Sequence, residues 1–275
     1  MILVSSILRV KPLLRVKGEL MENVHAVYFS GSGTTRRVAS LVVQGMGAEA
    51  VEHDLVLEPP REAVAFGADD VVVFAFPVFG GRLPSVAVDM LESFHGTGTR
   101  AVAVVVYGNR AYDDALLELA DTLEERGFVP VAAAAFVAQH SLFPRVAAGR
   151  PDAADEEAAL AFGRACAERI ADPGAGRVAV PGDTPYRQAG AAGLHPSGSR
   201  ACTGCGTCVR RCPVQAIDAA DPRKTDGERC ISCTACIAAC PQGARGFHVP
   251  ILYPLMGAVF AASVKQRREP ETFLA

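Results

Sequence analysis

The sequence has no tryptophan, no secretory signal and no long apolar run. Its longest apolar stretch, 249–264, is interrupted by Pro250 and Pro254 and is shorter than the roughly 20 residues of a membrane-spanning helix. Basic residues break up the first twenty positions, which have no small-residue cleavage site and no adjacent arginines. We therefore expect a cytoplasmic protein without membrane contact.

Eight of the nine cysteines fall between residues 202 and 240, in one pattern written twice. Both copies read C-x-x-C-x-x-C-x-x-x-C-P, and each position of the second copy lies 28 residues after its counterpart. The eight are Cys202, Cys205, Cys208, Cys212, Cys230, Cys233, Cys236 and Cys240. Three thiolates at this step can wrap one loop around three corners of an iron–sulfur cube, and the proline then turns the chain away. The pattern predicts two [4Fe-4S] clusters.

Two other uses of these cysteines fit less well. A zinc site takes two C-x-x-C pairs and stops, whereas here a third cysteine recurs at the same step. A disulfide framework needs an oxidising compartment, for which the sequence has no export signal. The ninth cysteine, Cys166, lies in an alanine-rich helical run and is interpreted as a small core residue.

At these residues the chain resembles the bacterial-type two-cluster ferredoxins, over about residues 200–247. In that family the last cysteine of each motif serves the other cluster. The resemblance implies one cluster on Cys202, Cys205, Cys208 and Cys240, and another on Cys230, Cys233, Cys236 and Cys212. It also implies one-electron transfer without substrate chemistry at the clusters.

Charge is unevenly distributed along the chain. Residues 24–171 carry a net charge of −9, residues 172–275 carry +4 and residues 1–23 carry +2. A basic C-terminal part can indicate nucleic-acid binding. However, a cluster with four thiolates brings about −2, so two clusters would cancel the excess. We expect no nucleic-acid partner.

From Val24 onward, short apolar strands alternate with helical patterns. Continuous apolar runs such as Val71–Phe76 and Ala101–Tyr107 are typical of strands buried on both faces. Five β–α units predict an α/β fold with a five-stranded parallel sheet and helices on both faces. A small α+β domain holding the clusters follows. Ligands bind such sheets at the carboxyl ends of the strands.

The loop after the first strand, Ser30–Thr35, alternates hydroxyl residues with glycine. Hydroxyl and backbone N–H groups can converge there on one anion at a helix N-terminus. Gly31 and Gly33 match the start of the G-x-G-x-x-G motif of dinucleotide sites, but Arg36 stands where the third glycine belongs. The hydroxyl groups suit a terminal phosphate, which favours FMN over NAD or FAD.

The loops after the third and fourth strands each place an aromatic residue beside glycine, which suits a flat ring. With these loops the chain resembles flavodoxin-like proteins, and more closely a group of anaerobic bacterial proteins that fuse such a domain to a two-cluster ferredoxin. The likeness implies that Ser30, Ser32 and Thr35 contact the FMN phosphate, and that Phe79, Gly108, Asn109 and Tyr112 border the isoalloxazine. The predicted cofactor-binding residues are Ser30, Gly31, Ser32, Gly33, Thr34, Thr35, Pro77, Val78, Phe79, Gly80, Gly108, Asn109, Arg110 and Tyr112.

Composition divides the chain into an N-terminal extension (1–23), a flavodoxin-like domain (24–171), a Gly- and Pro-rich linker (172–200), a two-cluster ferredoxin domain (201–247) and a C-terminal tail (248–275). The apolar part of the tail is expected to pack over one of the domains.

The sequence predicts an electron-transfer protein that passes single electrons between two clusters and FMN, with redox proteins or small donors and acceptors as partners. One alternative is an FMN-dependent reductase fed by the clusters, with His140 or Tyr112 near the ring. Another is an iron–sulfur carrier whose flavodoxin-like domain only docks a partner. No catalytic residue is assigned.

Overall fold

The computed structural model describes residues 23–190 and 193–275, together with the backbone of two short strands that precede them. Those strands, β1 (Leu14–Val16) and β2 (Glu19–Met21), pair in antiparallel orientation. The rest of the predicted N-terminal extension lies outside the described residues.

Strands and helices alternate through the first domain. In chain order the elements are β3 (Val24–Tyr28), α1 (Thr34–Gly45), β4 (Ala50–Asp54), β5 (Val64–Phe66), β6 (Val71–Pro77), α2 (Ser85–Leu91), β7 (Phe94–Gly96), β8 (Thr99–Tyr107), α3 (Ala115–Glu125), β9 (Phe128–Val137) and α4 (Ala153–Ile170). The short β5 and β7 form a separate parallel pair.

The main sheet has the strand order β12-β9-β8-β6-β3-β4, where β12 is Glu271–Leu274 at the C-terminus. Its five parallel strands follow the order 2-1-3-4-5 when numbered along the chain, which is the flavodoxin-like arrangement. The predicted five-stranded parallel sheet is thus confirmed. The sixth strand was not predicted: β12 joins the edge by antiparallel pairing with β9.

Helices cover both faces of this sheet, as predicted. The helices α1 and α4 pack on one face, where Val42, Phe162 and Cys166 are buried, and α2 and α3 cover the other. Asp152 begins α4 with a capping box, because its carboxylate accepts from the backbone N–H of Asp155 and the Asp155 carboxylate accepts from the N–H of Asp152. Cys166 is fully buried, as expected of a core residue.

The C-terminal region is built from short elements. They are β10 (Ser197–Gly198), α5 (Thr207–Arg210), α6 (Ala235–Ala238), β11 (Arg245–Gly246) and α7 (Leu252–Ser263). The strands β10 and β11 pair in antiparallel orientation and form a small separate sheet. The one-turn helices α5 and α6 begin 28 residues apart, so the sequence duplication is also a structural one.

Helix α7 packs over the flavodoxin-like domain. The Tyr253 hydroxyl donates to the carbonyl of Leu142 at 2.7 Å, and the Phe260 ring lies 4.9 Å from that of His140, centroid to centroid. The tail therefore contacts this domain as expected, although Leu252, Leu255 and Val259 remain more than half exposed, at 52%, 57% and 64%. Within the described residues, no helix is long and apolar enough to cross a membrane.

Candidate functional site

Four cysteines surround a recess of about 300 Å³ in the C-terminal domain. Cys202, Cys205 and Cys208 from the first motif line it together with Cys240 from the second. This outer recess opens to solvent, because Cys205 is exposed. The fold therefore brings the fourth cysteine of one repeat to the first three of the other.

The remaining four cysteines form a second group, here called the inner cysteines: Cys212, Cys230, Cys233 and Cys236. Electrostatic repulsion from Cys212 acts on each of the other three thiols, which places all four sulfur atoms in one neighbourhood. In the described residues, no three Cys, His, Asp or Glu side chains converge closely enough to hold a single metal ion.

The last cysteine of each repeat accepts a hydrogen bond from a backbone N–H group. The backbone N–H of Ala216 donates to Sγ of Cys212 at 3.2 Å, and that of Ala244 donates to Sγ of Cys240 at 3.2 Å. An N–H donor aimed at sulfur stabilises the thiolate that a cluster ligand must become. The two backbone N–H donors and the two groups of four cysteines are compatible with clusters that are each held by four thiolates.

The thiols differ in their electrostatic surroundings, and burial raises the pKa of Cys208 in the outer recess. A hydrogen bond with the Thr207 hydroxyl lowers the pKa of the exposed Cys205 thiol. Burial raises the pKa of Cys230 and Cys236, and raises that of Cys233 to about 12. The thiols of Cys230, Cys233 and Cys236 are therefore protonated in the folded chain at neutral pH, and they must release protons when they become ligands.

The loop after β3 places several hydroxyl groups at the start of α1. Ser30 is buried, and its Oγ accepts from the backbone N–H of Arg36 at 3.1 Å, so this hydroxyl satisfies one free N–H group in the first turn of the helix. Ser32 and Thr34 hydrogen-bond to each other through their hydroxyls at 3.2 Å. With the unpaired N–H groups and dipole of a helix N-terminus, these hydroxyls fit a phosphate.

A second recess, of about 460 Å³, lies at the carboxyl ends of the parallel strands. We call it the sheet-edge recess. Its lining residues are Gly31, Ser32, Thr34, Thr35, Pro77, Val78, Phe79, Val106, Tyr107, Gly108, Ala138, Gln139, His140, Ser141 and Cys233. The recess thus lies between the loops after β3, β6, β8 and β9, and one inner cysteine, Cys233, also lines it.

Some predicted cofactor residues lie elsewhere. Among the described residues, Ser30, Gly33, Gly80, Asn109, Arg110 and Tyr112 do not line the sheet-edge recess. The side-chain amide of Asn109 donates to the carbonyls of Val264 and Gln266, at 2.9 and 3.0 Å, and its Oδ1 accepts from the N–H of Arg268. Asn109 therefore anchors the C-terminal tail.

Three more of these residues, Gly80, Arg110 and Tyr112, also make contacts outside the recess. The Tyr112 hydroxyl donates to Glu271 at 2.8 Å, Arg110 forms an ion pair with Asp113, and Gly80 lies against the backbone of Gly190 in the linker. The sequence could not indicate these contacts, because the partners of Asn109 and Tyr112 lie more than 150 positions away.

His140 was a minor candidate in the sequence and lies in the wall of the recess. Its ring packs against Phe143 and Phe260, and its Nδ1 accepts from the backbone N–H groups of Leu142 and Phe143. Burial lowers the pKa of His140 to about 4. The imidazole is therefore neutral at pH 7 and carries its proton on Nε2.

Comparison with known families assigns the C-terminal domain. Residues 197–249 match the 4Fe-4S dicluster domain family. The match covers both cysteine motifs and indicates iron–sulfur electron transfer. A comparison with curated protein sequences gave no match.

Several solved structures are similar to the first domain. They include a flavodoxin from the domain Archaea, at 16% identity and a TM-score of 0.39, covering 54% of this chain and 99% of that chain. A Streptococcus pneumoniae TIGR4 flavodoxin is 17% identical, with a TM-score of 0.38, covering 53% of this chain and 98% of its own. A Bacillus subtilis Trp repressor binding protein is 14% identical, with a TM-score of 0.33, covering 55% and 99%.

Proposed function

We propose that this protein transfers electrons between two [4Fe-4S] clusters and an FMN bound in the sheet-edge recess. The observation that carries the proposal is the position of Cys233. This residue belongs to the inner cysteines and also lines the sheet-edge recess, beside the loop after β3. A ligand in that recess would therefore lie against a cluster ligand.

The two groups of thiols have separate duties in this scheme. Cys202, Cys205, Cys208 and Cys240 would hold one cluster, and Cys212, Cys230, Cys233 and Cys236 the other. Such clusters exchange single electrons with little structural change. Because Cys205 is exposed and Cys233 faces the recess, the outer group would meet external redox partners and the inner group would serve the flavin.

The sheet-edge recess supplies the flavin site. Ser32, Thr34 and Thr35 would hold the FMN phosphate at the α1 N-terminus, while Phe79 and Gly108 would border the ring. FMN can accept one electron or two, so it would link single-electron carriers to two-electron donors or acceptors. We reassign Asn109 and Tyr112 from ring contacts to anchors of the tail, on the hydrogen bonds described above.

The architecture also supports a narrower protein family and a cellular compartment for this chain. A flavodoxin-like fold joined to a dicluster domain is the combination seen in the anaerobic flavodoxin–ferredoxin fusion proteins, and we propose that the chain is one of them. We also propose a cytoplasmic location, because free thiols and cluster ligands persist in reducing compartments.

A second function has one observation in its favour. Cys233 of the C-terminal domain packs on Gly31, and the tail occupies Asn109 and Tyr112. These contacts also suit an iron–sulfur carrier whose flavodoxin-like domain serves only as a docking platform. The two functions differ in one measurable property, which is whether FMN binds.

The test is anaerobic reconstitution of the full chain with iron, sulfide and FMN, followed by quantitation of each. We expect about eight iron atoms per chain and stoichiometric FMN. Ser32→Ala combined with Thr35→Ala should release FMN and leave the iron content unchanged. Ser40→Ala is the matched control, because its exposed hydroxyl lies on α1 and donates to the carbonyl of Arg36. Full iron without FMN in the unmodified chain would favour the docking platform, and loss of iron in the double variant would contradict the assignment of the loop.

A further inference from the structure

The internal duplication is broken at one buried position. Ile217 and Arg245 are 28 residues apart, each five residues after the last cysteine of its repeat. Both are buried, at 6% and 4% exposure. Ile217 packs in an apolar cluster with Cys208 and Cys236, as expected for this position. The second repeat has placed a guanidinium where the first has an aliphatic side chain.

Arg245 is held by neutral groups. Its Nη1 donates to the carbonyl of Pro222 at 2.7 Å, and its Nη2 donates to the carbonyl of Pro196 at 2.7 Å and to the Thr225 hydroxyl at 2.6 Å. Its Nη2 also lies 3.7 Å from Sγ of Cys236. In the part of the chain that the structure describes, Nε of Arg245 has no hydrogen-bond partner.

The charge of Arg245 has no carboxylate to balance it. Among the described residues, the ion pairs of the chain do not include Arg245. A buried charge without a counter-charge is strongly destabilising, and proteins pair such groups. The groups near Arg245 that become negative when clusters bind are the cysteine sulfurs.

Arg245 faces both groups of cysteines. Arg245 lines the outer recess together with Cys202, Cys205, Cys208 and Cys240, and its guanidinium interacts electrostatically with Cys208. On the other side, it contacts Cys236 of the inner cysteines and interacts electrostatically with Cys230. One guanidinium thus lies between the two predicted cluster sites.

We propose that Arg245 is a shared counter-charge that stabilises the reduced form of both clusters and so raises both reduction potentials. The inference rests on the proposed occupancy of the eight thiolates by clusters and is independent of FMN. Each electron comes from an external one-electron donor, which is oxidised, and no proton or bond is exchanged. The negative charge beside Arg245 rises by one for each electron, so a fixed positive charge favours the reduced state.

The test is a redox titration of the reconstituted full chain, followed by the EPR signals of the reduced clusters. Arg245→Ile restores the residue of the first repeat and removes the charge. We expect both clusters to become harder to reduce, with at least a tenfold fall in the reduced-to-oxidised ratio at fixed potential, about 59 mV for a one-electron couple. Arg164→Gln is the control, because Arg164 is exposed on α4 and its charge is paired with Glu157.

Each outcome decides the proposal. Potentials that fall in Arg245→Ile and stay unchanged in Arg164→Gln would support it. Full iron content with unchanged potentials in Arg245→Ile would overturn it. If Arg245→Ile assembles no clusters, Arg245→Lys decides, because lysine keeps the charge without the planar fork. Clusters with nearly normal potentials in the lysine variant would support the proposal. Failure of the lysine variant to assemble clusters would overturn it, because the shape of the arginine side chain and not its charge would then be required. A wild-type chain that loads no clusters would instead refute the proposed function itself.

Discussion

The backbone carbonyl of Cys233 lies directly against Gly31, so that a methyl group added at Gly31 would come within 2.1 Å of that oxygen. Gly31 lies in the loop between β3 and α1, and Cys233 belongs to the inner cysteines. The two halves of the proposed electron pathway therefore meet backbone to backbone, at a position where only hydrogen fits.

Gly31→Ala should separate these two surfaces. Both sides of the contact are backbone, which cannot yield as a flexible side chain can, and overpacking of this kind costs roughly 1–3 kcal/mol. We expect a lower thermal midpoint and faster proteolytic cleavage in the linker, 172–200. Gly176→Ala is the matched control, because no atom lies within 4 Å of a methyl group at that position. Equal cleavage of the two variants would contradict the contact.

Asn109→Gly should loosen the C-terminal tail. The substitution removes three hydrogen bonds to residues 264–268, worth about 1 kcal/mol each, while glycine tolerates the left-handed backbone (φ 63°) of this position. We expect hydrogen exchange of the amides in Glu271–Leu274 to accelerate at least roughly tenfold. Asn23→Gly tests the same change at another left-handed asparagine. Unchanged exchange of the tail in Asn109→Gly would refute its role as an anchor.

His140 should make the fold sensitive to mild acid. Its pKa is about 4 in the folded chain and about 6.5 in an unfolded one, so between these values the unfolded state binds more protons. Stability is therefore complete above pH 6.5 and falls as the pH drops toward 4. From pH 7 to pH 5 the loss due to His140 should be roughly 2 kcal/mol.

Denaturant unfolding followed by circular dichroism at pH 7 and pH 5 measures this loss. His140→Gln should lose less stability than the unmodified chain over the same interval. His95→Gln, at an exposed position, should behave like the unmodified chain. Parallel pH dependence in all three proteins would show that His140 does not titrate on unfolding.

The crosswise grouping of cysteines makes an unusual prediction. Cys212 belongs to the first motif but lies with the inner cysteines, so Cys212→Ala should destabilise the cluster next to the sheet-edge recess. Cys240→Ala should instead destabilise the cluster of the outer recess. We expect each variant to retain one intact cluster by EPR, and flavin reduction to be lost more severely in Cys212→Ala. Identical effects on both clusters would contradict the grouping.

Much of the fold was accessible from sequence because its signals are local. The continuous apolar run from Val71 to Phe76 predicts a strand buried on both faces, and the structure buries all six residues. The capping box of α4 is equally local, because Asp152 and Asp155 lie three residues apart. The contacts of the tail were not accessible, because β12 has four residues and joins the sheet through backbone hydrogen bonds that leave little sequence pattern.

The candidate site was likewise predictable from the sequence only in part. The spacing of Cys202 to Cys212 marks ligands within one loop, whereas the approach of Cys233 to Gly31 depends on how two domains pack. The duplication also contained a signal that was overlooked. Arg245 stands opposite Ile217 in the repeat, and comparison of the two copies would have singled it out.

The most direct test of the account is the kinetics of flavin reduction in the anaerobically reconstituted full chain, mixed with an excess of a one-electron donor that reduces the clusters rapidly. Because Cys233 places the inner group at the wall of the flavin recess, transfer to FMN should occur within one molecule. The account predicts a rate of flavin reduction that stays constant when the protein is diluted a hundredfold. A rate that falls with dilution, or a chain that carries its clusters but retains no FMN, would contradict it.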